Sequence, residues 1–183
     1  MLNLREINLY KKVLIEPVME GYRDLTIVTG YASPRMLAKY LSDIRGMNLE
    51  ERFCIRLVVG MAADLSEGAR SAYQSLMFSD SEMESVVYLP DGQLQVHSTC
   101  FVWQQDGAEP IARVGSPNFT MLGFGLNQES DFRDEIIAMV DPNPVINYTK
   151  RLIVRSSLLT DGTSRPYLLS NQELLETQIT TSN

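Results

Sequence analysis

Twice in the N-terminal half of this chain a short apolar run gives way to a helical repeat, and that alternation constrains the fold more than any other feature. Leu25 to Tyr31 reads as a buried strand. Ser33-Pro34 then sets a capping hydroxyl before a proline at the first helical position, and Met36, Leu37, Tyr40, Leu41 and Ile44 follow at helical spacing until Gly46. Cys54 to Gly60 is a second β-rich run, and after a loop through Asp64 the residues from Ser66 to Met77 carry a helical pattern. Strands alternating with helices predict an α/β chain, a sandwich with a mixed central sheet flanked by helices.

The remaining segments fit around those two units. Leu4 to Met19 has near-helical spacing and predicts a helix, or a helix and turn, ending near Pro17. Val86 to Leu89 predicts a short strand, and Pro90-Asp91-Gly92 a turn. Val96 to Trp103 and Ile111 to Val114 read as a hairpin, and Glu135 to Val140 as a further strand. Pro142-Asn143-Pro144 predicts a break, with a helix from Val145 to Leu159. The expected domain is therefore 1–159. Residues 160–183, rich in Ser, Thr, Asn and Gln, read as a C-terminal extension or linker, unless Leu168 to Leu175 packs back onto the domain.

At 183 residues, 44% hydrophobic and 21% charged, the chain has the size and composition of one soluble domain with a substantial core. No apolar run is long enough for a membrane span and the N-terminus lacks a signal-peptide core, so a cytoplasmic location is expected. Cys54 and Cys100 lie in apolar strands and are expected as free thiols. A single histidine without a cluster of Cys or Asp argues against a metal site, and no cofactor is implied. The net charge of −7 argues against an extended basic face as the source of nucleic-acid affinity, though not against a catalytic module whose groove is locally basic or whose affinity comes from a separate recognition domain.

The hairpin concentrates the chemistry. If Val96, Ser98, Cys100 and Val102 share one face, then His97, Thr99, Phe101 and Trp103 share the other. Gly115-Ser116-Pro117-Asn118 follows the second strand directly and delivers a hydroxyl and a carboxamide near the histidine. His97-Ser98-Thr99 followed by Gly115-Ser116-Pro117-Asn118 resembles the His-x-Lys and Gly-Ser-x-Asn signature of the phospholipase D-like superfamily. With Gly123-Phe124 and Glu129 downstream, and the TIVTGYASP segment upstream, the chain looks most like the single-motif nucleases of type IIS restriction endonucleases, over about residues 20 to 141.

The resemblance implies metal-independent cleavage of DNA through a phosphohistidine. One histidine attacks phosphorus, and a second protonates the leaving oxygen and later activates water. A chain with one histidine then needs a homodimer whose two-fold axis runs through the site. Asn118 and Ser116 would donate to phosphate oxygens and Glu129 would orient a histidine, with Asp134 and Glu135 as nearby substitutes and Tyr31 lining the groove or packing at the core edge. The family lysine is Thr99 here, a neutral donor that cannot offset phosphate charge. That departure keeps three readings open. They are the catalytic domain of a restriction enzyme whose DNA-recognition domain lies beyond this chain, a phosphodiesterase for RNA or phospholipid, and a catalytically degenerate module for nucleic-acid binding or dimerisation.

Overall fold

The computed structural model describes residues 8–61, 65–91, 96–126 and 135–159. Its centre is an eight-stranded mixed sheet. In chain order the strands are β1 (Asp24–Thr29), β2 (Phe53–Val59), β3 (Phe78–Ser79), β4 (Met83–Pro90), β5 (Thr99–Gln104), β6 (Ile111–Gly115), β7 (Ile137–Val140) and β8 (Ser156–Leu158). They lie in the order β3-β4-β2-β1-β5-β6-β7, with β8 added alongside β4. β1, β2 and β4 run parallel, as the two strand-to-helix units require, and the β5–β6 hairpin adds antiparallel strands beside β1.

Alternation along the strands separates two cores. Leu25 and Ile27 of β1, Phe53, Ile55 and Leu57 of β2, and Phe101 and Trp103 of β5 face the larger one. It is closed by a π-helical turn (Lys11–Ile15) leading into α1 (Glu16–Met19), by α2 (Pro34–Gly46) and by α3 (Glu67–Gln74). Val28, Val58, Cys100 and Val96 face the smaller core under α4 (Pro142–Val154). The two-face reading of the hairpin therefore holds from Thr99 to Trp103, whereas the strand begins at Thr99 rather than at Val96 and leaves His97 ahead of it. Burial there pushes the Cys100 thiol up to about 12, while Cys54 is half-buried; both thiols are free. Among the described residues no helix is long and apolar enough to cross a membrane.

Three local expectations needed revision. The first helical segment continues through Pro17 to Met19 and turns at Gly21, whose φ of 103° suits only glycine. Pro142 and Pro144 do not break the chain. Asp141 accepts from the amide of Asn143, and the prolines occupy the first turn of α4, where no intrahelical amide donor is needed. That helix stops at Val154 rather than Leu159, and Ser156–Leu158 pairs with β4 instead. Residues 160–183 lie outside the described residues.

Candidate active site

The parallel strands β1 and β2 end in Thr29-Gly30 and Val59-Gly60, and the chain entering β5 crosses over both ends. A Cβ on Gly60 would lie 2.1 Å from the carbonyl oxygen of Val96. One on Gly30 would lie 3.3 Å from that same oxygen, 3.5 Å from the Cα of His97 and 3.6 Å from Asn118 Oδ1. The two glycines thus admit the backbone of Val96, and Gly30 also lies against the Cα of His97. His97 itself is exposed and precedes the first residue of β5 by two positions.

Thr29 ties the parts together. The register that sets Val28 opposite Cys100 brings Thr29 and Thr99 face to face, and their hydroxyl oxygens lie 3.3 Å apart. Thr29 Oγ1 is also 2.9 Å from the carbonyl oxygen of Tyr31, 3.2 Å from the amide nitrogen of Phe119 and 3.3 Å from Asn118 Oδ1. A hydroxyl has one proton. The shortest contact gives it to Tyr31, and the oxygen then accepts from the Phe119 amide and the Thr99 hydroxyl. Thr99 is only 2% exposed, so its hydroxyl is spent inside this pair.

Asn118 is oriented by the same network. Its Oδ1 accepts the Tyr31 amide at 3.1 Å, which turns the carbonyl end toward β1 and leaves the Nδ2 amide as the outward donor. From below, the backbone of Gly123 abuts Asn118 so closely that a Cβ would sit 2.3 Å from the asparagine's carbonyl oxygen. Phe119 and Phe124 are buried in edge-to-face contacts with Tyr40 and Phe101. The Gly-Phe segment is thus a footing for Asn118.

Ser116 donates to Glu135 Oε2 at 2.5 Å and accepts from the amide of Ile136 at 3.0 Å. Among the described residues, Glu135, held in the sequence reading only as a substitute, is the carboxylate bonded to the Gly-Ser-Pro-Asn turn. Glu129 and Asp134 lie outside the described residues. Tyr31 is 50% exposed beside Asn118 rather than packed at a core edge. Sequence reasoning gave no role to Thr29, Gly30 or Gly60, although Thr29 and Gly30 fall in the TIVTGYASP segment; for Gly60 the signal was a glycine at a strand end.

A second concavity at the opposite end of β1 and β2, about 720 Å³, is lined by Arg23, Asp24, Glu51, Arg52, Arg56 and Lys150 among others. Its arginines are engaged internally. Arg56 holds both oxygens of Asp24 at 2.6 and 2.7 Å, and Arg52 reaches Glu84 at 3.0 Å, so this end reads as a structural ion-pair network. Among the described residues no three His, Cys, Asp or Glu side chains come together in a way that could hold a metal ion.

The family model of the NgoFVII restriction endonuclease N-terminal PLD domain matches residues 7–160. The chain belongs to this family. The match runs across the strand-to-helix units, the hairpin and α4, so the geometry above is that of a phospholipase D-type domain of restriction endonucleases, a nuclease domain by family. Among solved structures, NucT from Helicobacter pylori is similar over 82% of this chain and 93% of its own, at 10% identity and a TM-score of 0.49. No curated protein matches.

Proposed function

We propose that this phospholipase D-type domain cleaves DNA without a metal, through a phosphohistidine formed at a site shared by two copies of the chain. The observation that carries the reading is the pairing of an exposed His97, its Cα against Gly30, with an Asn118 whose amide is turned outward by the Tyr31 backbone. In one copy a nitrogen of His97 bonds to phosphorus while the P–O bond to the leaving sugar breaks, and that oxygen takes its proton from the partner's His97. Water then gives a proton to the partner's His97 and bonds to phosphorus, and the P–N bond breaks to restore the nucleophile. Asn118 Nδ2 donates to a non-bridging oxygen as charge builds, the kind of fixed dipole worth about 10²- to 10³-fold in rate. Ser116 donates to Glu135 and so holds that carboxylate at the turn, and in this reading Glu135 takes the role of orienting an imidazole.

Two measurements test this together. Cleavage of a DNA panel in excess EDTA should persist in the wild type and vanish in His97→Ala. Sedimentation at micromolar concentration should give a dimer. Activity that appears only when Mg²⁺ is added, or a stable monomer that still cleaves, refutes the shared-histidine mechanism.

The buried, neutral Thr99 favours a second reading, a degenerate module that binds nucleic acid or joins two copies without cutting. Metal-free cleavage that depends on His97 decides against it.

A further inference from the structure

We propose that Tyr31 stacks on a nucleobase next to the phosphate at His97 and Asn118, which makes the ligand of this site a nucleic-acid strand rather than a lipid headgroup. The inference rests on the functional reading above. It starts from a shortage of charge. The chain carries −7, position 99 is a neutral threonine with its hydroxyl engaged, and the hydroxyl of Ser116 is committed to Glu135. A polyanion held here gains from an attraction that does not depend on cations. Base stacking on an aromatic ring is such an attraction, and it tolerates any base.

Tyr31 is the aromatic side chain in position to supply it. Of the other described rings around this end of the sheet, Tyr40, Phe119 and Phe124 are buried and packed edge to face, and Tyr148 is half-buried with its hydroxyl bonded to Ser98, whereas Tyr31 is 50% exposed. An exposed tyrosine alone would mean little. Here its backbone is fixed on both sides: the amide donates to Asn118 Oδ1 at 3.1 Å and the carbonyl accepts from Thr29 at 2.9 Å. The preceding Gly30 lies against the Cα of His97. The ring therefore projects from a point set by the same atoms that set the site, with only two side-chain torsions to order on binding. A phosphodiester bound at His97 and Asn118 places its neighbouring sugar and base within the reach of such a ring, while a lipid places a flexible headgroup there, which offers no face to stack on.

The test uses the whole chain in a His97→Ala background, so that bound DNA stays intact, with oligonucleotides in which 2-aminopurine is moved one position at a time. Tyr31→Ala should weaken binding about five- to hundredfold, the range of one lost stacking contact. It should leave the salt dependence unchanged, because no phosphate contact is lost. Tyr31→Phe should bind within about twofold of the parent, since the ring and not the hydroxyl acts. One 2-aminopurine position should show quenching that disappears in Tyr31→Ala. Binding by Tyr31→Ala equal to its parent overturns the inference alone, provided His97-dependent cleavage in EDTA persists. Equal losses in Tyr31→Phe and Tyr31→Ala overturn it in favour of a role for the phenol hydroxyl. No oligonucleotide binding by any variant, with cleavage of phosphatidylcholine vesicles by the wild type instead, overturns both this inference and the nuclease reading.

Discussion

Lysine at position 99 tests the active-site reading most directly. Thr99 is 2% exposed and shares its hydroxyl with Thr29 at 3.3 Å. Thr99→Lys removes that hydrogen bond, about 1 kcal/mol, and drives a longer stem into a packed strand end, about 1–3 kcal/mol. Domains of this kind have about 5–15 kcal/mol in hand, so the variant should fold, with a Tm lowered by about 5–15 °C. Thr99 is the first residue of β5, two residues from the exposed His97. A lysine stem can run out along that strand end and leave its ammonium in the groove. At about 4 Å from a phosphate oxygen, with an effective dielectric constant near 20, the attraction is about 4 kcal/mol. Only the part that grows toward the transition state accelerates the reaction, which brings the expected gain to about 10²- to 10³-fold.

The assay is initial-rate cleavage of DNA in EDTA, read beside thermal melting and sedimentation. Thr99→Lys should raise the rate by that factor, and Thr99→Lys with His97→Ala should remain inactive, because added charge cannot replace a nucleophile. A Thr99→Lys protein that folds and dimerises like the wild type, yet gains nothing on DNA, RNA or phospholipid, refutes the catalytic assignment of this strand end. The binding-module reading then takes its place.

Thr29→Val keeps the side-chain shape but strands the buried amide of Phe119, so urea unfolding should show a loss of about 1–3 kcal/mol, and Thr29→Ser should recover most of it. Equal losses in the two variants would show that packing, not the hydroxyl, matters. Gly60→Ala must displace the backbone of Val96, which a Cβ would approach to 2.1 Å, and should cost both stability and cleavage. Gly68→Ala in α3 meets nothing within 4 Å and should raise Tm by up to about 2–4 °C, from a gain of up to about 1 kcal/mol. Burial holds the Cys100 thiol up to about 12, above the free-thiol range, so its reactive thiolate stays negligible from pH 7 to pH 10. In a Cys54→Ser protein, iodoacetamide should label Cys100 only after denaturation, and native labelling whose rate rises and levels off below pH 10, as an ordinary thiol's does, contradicts the burial.

The fold was legible wherever periodicity runs long enough to fix a face. The two strand-to-helix units stand where Ser33-Pro34 and the apolar spacing put them, and the β5 faces follow from strict alternation between Thr99 and Trp103. What escaped were elements defined by their neighbours. β3 and β8 are too short to show a period, and they exist because β4 offers a free edge at Glu84-Ser85 and at Tyr88–Pro90. Proline misled for a related reason. It breaks a helix interior but suits a first turn, and only the capping of Asn143 by Asp141 decides which of the two applies.

The site divides the same way. His97, Ser116 and Asn118 announce themselves by residue type and order, but their competence depends on atoms the motif does not name. Thr29 lies 89 residues before Asn118 in sequence, and it meets Thr99 only because of how β1 and β5 are registered. That meeting bears on the lysine that the resemblance implies at position 99. A cation at position 99 would have to leave Thr29 and reach the groove, whereas a threonine stays and completes a buried hydroxyl pair. On the proposed reading, threonine at position 99 exchanges charge at the phosphate for order beneath it. On this argument a threonine-bearing domain depends more on Asn118 and on uncharged contacts to its substrate than a lysine-bearing one. Asn118→Ala should accordingly cost proportionally more activity in the wild type than in Thr99→Lys. Equal proportional losses in the two backgrounds would mean that position 99 and Asn118 act independently, and that the network through Thr29 does not couple them.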